Sequence, residues 1–80
     1  MSRKRREIDT ESYAGRFAVH LRSLREKKGL SVAQLAEKSG ISEFTIYAWE
    51  RVDWLPSMDK LPPLADSLGV KVQKLFPDSL

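Results

Sequence analysis

The side chains best suited to chemistry are concentrated between residues 42 and 51. This stretch carries hydroxyl, carboxylate, guanidinium and aromatic groups, whereas the whole chain has one histidine, His20, and no cysteine. The sequence also lacks a phosphate-binding glycine motif, a His-Glu-x-x-His motif and a nucleophile elbow. Hydrogen-bonding groups beside apolar ones are suited to recognition. We therefore expect a binding protein, not an enzyme, with no cofactor and no metal.

Two short helices, at residues 32–38 and 43–51, are predicted to position this stretch. Gly40 lies between them and can supply the positive φ that ends a helix at low cost. The small side chain of Ala36 allows the two helices to cross closely. This arrangement is typical of a helix-turn-helix and indicates DNA as the partner.

Caps support both helix starts. Ser31 is an N-cap candidate with Gln34 three residues later, which is the spacing of a capping box. Ser42 occupies the N-cap position of the next helix. Leu30 and Leu35 have the spacing of a hydrophobic staple around the first of these caps.

The rest of the chain is predicted to be helical, with no support for strands. Apolar residues recur at helical spacing up to about Lys28, and a fourth helix begins near Asp59 or Lys60, since that start places two prolines close to its first turn. A short fifth helix follows Gly69. We expect an all-α domain over residues 11–80, a compact five-helix bundle.

The basic charge is local. The net charge is +3, but Arg3, Lys4, Arg5 and Arg6 contribute +4, and the remaining 10 basic and 11 acidic side chains leave the rest at −1. We interpret residues 1–10 as a flexible, disordered basic arm, because like charges without apolar residues do not pack. Such an arm either binds DNA phosphates or serves as a solvated tail.

The motifs together resemble the lambda-repressor/Cro-like helix-turn-helix family, also called XRE-type. The resemblance covers about residues 17–77. Its motifs are Leu21, Leu24-Arg25, Gly29-Leu30-Ser31, Leu35-Ala36, Gly40-Ile41-Ser42, Ile46, Trp49-Glu50-Arg51, Pro56-Ser57, Leu61, Ala65, Leu68-Gly69-Val70 and Leu75-Phe76. It implies a lambda repressor-like DNA-binding domain whose third helix enters the major groove, and an ion pair between Arg25 and Glu50.

The resemblance also implies which side chains contact DNA. Amide and guanidinium groups, the usual base readers, are absent from the predicted reading face of the third helix, but Glu43 can accept from cytosine and Phe44 or Ala48 can touch a thymine methyl. Thr45 and Tyr47 can donate to bases or phosphates. The full predicted DNA-binding set is Ser42, Glu43, Phe44, Thr45, Tyr47, Ala48, Arg51, Arg3, Lys4, Arg5 and Arg6, with Arg25, Glu50, Ala36 and Gly40 as structural residues.

Two departures from the family pattern leave a second function open. Val32 stands where many members have a phosphate-binding glutamine, and Val52-Asp53-Trp54 replaces a glycine followed by basic residues. Asp53 would repel a phosphate. The main prediction is a sequence-specific transcriptional regulator, and the alternative is a protein-interaction module that binds a partner at Phe44 and Trp54.

The remaining expectations concern assembly and location. Because one helix-turn-helix covers about one half-site, we expect a homodimer on a near-palindromic site of double-stranded DNA. Candidate dimer contacts are Trp54, Leu55, Phe76 and Leu80. No apolar run approaches the roughly 20 residues that span a bilayer, so we expect no membrane contact and a cytoplasmic location.

Overall fold

Four α-helices and two single-turn 3₁₀ helices make up the computed structural model, which describes residues 12–77. The elements are α1 (Tyr13–Lys27), α2 (Val32–Ser39), α3 (Glu43–Glu50), a 3₁₀ turn (Met58–Lys60), α4 (Leu61–Leu68) and a second 3₁₀ turn (Val72–Leu75). The all-α prediction is confirmed for this range, which contains no strand. The predicted arm residues Arg3, Lys4, Arg5 and Arg6, and also Leu80, lie outside the described residues.

The predicted fifth helix is the second 3₁₀ turn. The segment between Gly69 and Pro77 is only seven residues long, and its N-cap residue Lys71 makes no side-chain cap hydrogen bond. A segment this short gains few i→i+4 bonds, so the tighter i→i+3 pattern is the usual result. The five-helix count is therefore corrected to four α-helices among the described residues.

The caps predicted for α2 and α3 are present. The Ser31 hydroxyl accepts from the Gln34 N–H at 3.0 Å, and the Gln34 side chain accepts from the Ser31 N–H at 2.8 Å. These two bonds form the capping box that the spacing indicates. The Ser42 hydroxyl accepts from the Thr45 N–H at 3.2 Å. Gly40 ends α2 at φ 76°, as predicted.

The two prolines of α4 lie in its first turn. The 3₁₀ turn Met58–Lys60 runs directly into Leu61, so Pro62 and Pro63 occupy the second and third helical positions. The N–H groups at these positions have no partner inside the helix, and a proline there removes no hydrogen bond. This confirms the start predicted near Lys60.

A single core joins the four α-helices and the second 3₁₀ turn. Five large side chains are almost completely buried, one from each of the four α-helices and one from the second 3₁₀ turn: Leu21, Leu35, Ile46, Leu64 and Leu75. His20 adds a polar contact between the ends of the chain, because its Nε2 lies 2.7 Å from the Lys74 carbonyl oxygen. This contact cannot be predicted from the sequence, since nothing in the local pattern relates residues 54 positions apart.

Replacing Ala36 by leucine is expected to lower the free energy of unfolding by about 1–3 kcal/mol, because added methylenes overpack a filled site. Ala36 is half-buried against the core cluster. Ala33 lies on the same helix but is exposed, so Ala33→Leu is the matched control and should change stability little. Urea unfolding followed by circular dichroism measures both. Equal stabilities for the two variants would contradict a close helix crossing at Ala36.

Candidate nucleic-acid interface

One side of α3 faces solvent and the other is locked into the core. Ile46 and Trp49 are 0% and 2% exposed, whereas Phe44 and Tyr47 are 63% and 46% exposed. Glu43 is also exposed, one turn before Tyr47. Residues three and four apart share a helix face, so Glu43, Phe44 and Tyr47 form one continuous outward surface, which we call the open face.

Ala48 does not belong to this surface. Although Ala48 lies one turn after the exposed Phe44, its side chain is buried, at 2% exposure. The chain that follows α3 folds back here, and the N–H groups of Asp53 and Trp54 both donate to the Ala48 carbonyl oxygen, at 2.8 and 3.4 Å. The predicted contact between Ala48 and a thymine methyl is therefore wrong.

Trp54 reaches back along α3 to Phe44. The two rings pack edge to face, with centroids 5.4 Å apart and an interplanar angle of 73°. The turn that brings them together includes Val52 at φ 64°, the one positive φ outside glycine between residues 12 and 77. The sequence carries no signal for this turn, because valine rarely adopts a left-handed conformation.

Thr45 and Ser42 lie at the start of α3, and their hydroxyls are bonded to each other. Ser42 is exposed and Thr45 is half-buried. The Ser42 hydroxyl donates to the Thr45 hydroxyl oxygen at 2.9 Å while it accepts from the Thr45 N–H. Thr45 is therefore at the margin of the open face, with its hydroxyl engaged in the helix cap.

Arg51 and Asp53 form an ion pair just after α3. The Arg51 Nε lies 3.1 Å from the Asp53 Oδ2, and both side chains are partly exposed. The sequence predicted a DNA contact for Arg51 and a phosphate repulsion for Asp53. The structure brings the two charges together, so each one offsets the other's field at the surface.

Arg25 and Glu50 connect the end of α1 to the end of α3 through a bidentate pair. Arg25 donates from Nε to one Glu50 oxygen at 2.7 Å and from Nη2 to the other at 3.0 Å. Its Nη1 donates to the Leu30 carbonyl oxygen at 2.9 Å. The hydrogen bonds to Glu50 raise the pKa of Arg25 above its ordinary value. The ion pair implied by the resemblance is confirmed.

A known protein family has the same arrangement of helices as this structure. The model of the helix-turn-helix domain matches residues 16–75, well over half of the chain. The chain belongs to the helix-turn-helix domain family. The predicted resemblance to lambda-repressor/Cro-like regulators is confirmed by this match and by the solved structures below. None of the curated proteins matches the sequence.

Several solved helix-turn-helix structures resemble this one. The restriction-modification controller protein C.AhdI from Aeromonas hydrophila is 34% identical, has a TM-score of 0.74, and is matched over 76% of this chain and 92% of its own. The DNA-binding domain of BldD is 36% identical, with a TM-score of 0.70 and coverage of 81% and 94%. The hypothetical transcription factor NHTF from Neisseria is 27% identical, with a TM-score of 0.77 and coverage of 91% and 85%.

The helix-turn-helix itself is α2, the turn at Gly40 and α3. Val32, the first residue of α2, is buried at 5% exposure, so its side chain belongs to the core and not to a ligand surface. In the part of the chain that the structure describes, no group of three His, Cys, Asp or Glu residues could hold a metal ion. Nor is any helix of that part long and apolar enough to cross a membrane.

Proposed function

We propose that this chain is a sequence-specific DNA-binding transcriptional regulator whose α3 enters the major groove. The observation that carries the proposal is the open face, where Glu43, Phe44 and Tyr47 are exposed while Ile46 and Trp49 anchor the same helix in the core. The major groove admits an α-helix and exposes a distinct pattern of groups for each base pair. A rigidly anchored helix with one exposed side suits that groove.

The similar structures support the same function. They include the DNA-binding domain of BldD, the hypothetical transcription factor NHTF and the restriction-modification controller protein C.AhdI. The base contacts that we propose come from the side chains on the open face of this chain, not from those of the similar structures. Glu43 accepts from a cytosine amino group, and Tyr47 donates to a base or a phosphate.

The basic arm supplies the proposed non-specific part of the affinity. Arg3, Lys4, Arg5 and Arg6 lie outside the described residues, and the rest of the chain has a net charge of −1. Phosphate contacts are therefore expected to come largely from this segment. Four such contacts would contribute about −3.6 to the slope of log K against log salt, at roughly −0.9 per neutralised phosphate.

Selection from random duplex DNA tests the proposal. The full chain and a chain lacking residues 1–6 are each titrated at two salt concentrations, and the retained fragments are sequenced. We expect one enriched motif with both proteins and a shallower salt slope for the shorter one. If deletion of residues 1–6 abolished all DNA binding and neither protein enriched a motif, base reading by α3 would be contradicted.

A second candidate function is supported by the contact between Phe44 and Trp54. Aromatic residues are enriched at the hot spots of protein interfaces, and these two rings are more than half exposed. Binding of a protein partner at this pair, instead of DNA, is therefore the alternative. Alanine substitutions at Phe44 and Trp54 that abolish partner binding in a chain without DNA affinity would favour it.

The proposal includes a homodimer on a near-palindromic site. Beside α1 the structure has an apolar groove of about 340 Å³ that contains two of the predicted dimer contacts, Leu55 and Phe76. Phe76 also packs on Phe17, with ring centroids 5.4 Å apart. We expect sedimentation to show a dimer at high concentration or on DNA, and Leu55→Asp to weaken it. A monomeric mass under both conditions would contradict the dimer.

Replacing Asp53 by asparagine is expected to strengthen DNA binding. The change removes a carboxylate and releases Arg51 from its ion pair, so that one more phosphate is neutralised and the salt slope steepens by about 0.9. Fluorescence anisotropy titrations over several salt concentrations measure the slope. Asp66→Asn removes the same charge from the exposed side of α4 and should leave the slope unchanged. An unchanged slope for Asp53→Asn would place Arg51 away from the phosphates.

A further inference from the structure

We infer that Trp54 is a base-contacting residue, which forms with Phe44 an apolar surface that packs against a thymine methyl in the major groove. This inference rests on the proposed function and adds a specificity determinant to it. Trp54 is not part of α3, and its place after a helix-ending Glu50-Arg51 gave no reason to include it among the base readers.

Trp54 lies beside the open face because of the way the chain folds back after α3. The N–H groups of Asp53 and Trp54 both donate to the Ala48 carbonyl oxygen. Phe44 and Ala48 are one helical turn apart and share a side of α3. Ala48 is buried, and the indole of Trp54 reaches Phe44. The exposed indole of Trp54 thus adds to the outward surface beside Phe44 on this side of the helix.

The two rings are held in place and yet exposed. Their centroids are 5.4 Å apart in an edge-to-face contact, a geometry that aromatic pairs prefer. Phe44 is 63% exposed and Trp54 is 54% exposed. Val52 adopts φ 64° in the turn that delivers the indole. A β-branched residue is rare in that region, and such strain is often found at functional sites.

The chemistry of the pair selects thymine. Among the groups that base pairs present in the major groove, the thymine C5-methyl is the apolar one, and aromatic and other apolar side chains contact it. Glu43 and Tyr47 flank the pair on the open face with polar groups. The neighbouring Arg51 and Asp53 neutralise each other. The Asp53 carboxylate beside the aromatic pair is therefore compensated by Arg51 when the pair meets DNA.

The test removes the methyl group from the DNA and the indole from the protein in turn. The duplex most enriched by the full chain is prepared with each thymine replaced singly by deoxyuridine, which keeps the base pair but lacks the methyl. Dissociation constants are measured by fluorescence anisotropy for the wild type, Trp54→Ala and Phe44→Ala. Met58→Ala is the matched control, because Met58 is an exposed apolar side chain just after the same loop but is not part of the ring pair.

We expect one or two deoxyuridine positions to weaken wild-type binding about fourfold, the factor that corresponds to one buried methyl group. At those positions Trp54→Ala and Phe44→Ala should bind thymine and deoxyuridine equally, whereas Met58→Ala should keep the wild-type penalty. Circular dichroism confirms that each variant is folded. Where a cytosine replaces the contacted thymine, 5-methylcytosine should bind more tightly than cytosine by a similar factor.

Two results would overturn the inference while the proposed function stands. One is an enriched motif that the wild type binds equally well with thymine or deoxyuridine at every position. The other is a deoxyuridine penalty of the same size in the wild type and in Trp54→Ala. Absence of any motif, together with capture of a protein partner that depends on Trp54, would overturn both the inference and the proposed function.

Discussion

Replacing Glu50 by alanine is expected to lower the free energy of unfolding by about 3–5 kcal/mol. This is the largest loss of stability that we expect from any of the single substitutions proposed for this chain. The side chains of Arg25 and Glu50 are only 11% and 7% exposed. Removal of the carboxylate leaves the Arg25 guanidinium buried without its two charged hydrogen bonds. Urea unfolding of the full chain, followed by circular dichroism at 222 nm, measures the loss.

A double substitution separates the stranded charge from the intrinsic value of the pair. Arg25→Met combined with Glu50→Leu removes both charges and is expected to be far less destabilising than Glu50→Ala alone, since apolar replacements of a buried pair are often close to neutral. Glu37→Ala removes a carboxylate from an exposed position of α2 and is the control. If Glu50→Ala were no more destabilising than Glu37→Ala, the pair would not support the fold.

The effect on stability is expected to be nearly independent of pH around neutrality. The hydrogen bonds to Glu50 raise the pKa of Arg25 above a value that is already strongly basic. A cation with a raised folded-state pKa stabilises the fold below its unfolded pKa, and this contribution is lost only as the pH rises through the folded value. For Arg25 that window lies far above neutral pH.

Replacing Ala48 by glutamine is expected to lower the free energy of unfolding by about 2 kcal/mol or more. Glutamine is a usual base reader, and from the sequence alone this change would be expected to add a DNA contact. In the structure Ala48 is 2% exposed, and its carbonyl oxygen accepts hydrogen bonds from the returning chain. A larger polar side chain there both overpacks the site and buries an amide.

Tyr47→Gln is the matched control for this second prediction. Tyr47 precedes Ala48 on the same helix but is 46% exposed, so the same amide placed there should change stability by less than about 0.5 kcal/mol. Thermal and urea unfolding distinguish the two variants. If Ala48→Gln is as stable as Tyr47→Gln, the turn at residues 51–54 opens without cost and the contact between Trp54 and Phe44 does not constrain it.

The helices of this chain are largely predictable from its sequence because their signals are local. The capping box at Ser31 and Gln34, the positive φ at Gly40 and the proline positions at the start of α4 all act within a few residues. Each signal satisfies backbone groups that a helix end would otherwise leave without partners. The helix boundaries accordingly match the predictions to within about one residue for α2 and α3.

The candidate interface was only partly predictable. Glu43, Phe44 and Tyr47 follow from helical periodicity, since they lie opposite Ile46 and Trp49. The burial of Ala48 does not follow from periodicity, because Ala48 lies one turn after the exposed Phe44 and shares a side of α3 with it. The predicted fifth helix shows another limit of local patterns. Its segment is too short to sustain an α-helix and forms the 3₁₀ turn Val72–Leu75 instead.

The sequence by itself determined the helix-turn-helix, its caps and the side of α3 that faces outward. These features depend on propensities and spacings that are set by neighbouring residues. Only the tertiary structure decided that Trp54 returns to Phe44, that Arg51 pairs with Asp53, and that Ala48 is covered. Those contacts require Val52 in a left-handed conformation, which is favourable only when the returning chain is held by hydrogen bonds and ring packing. Such a balance is decided by the folded chain as a whole.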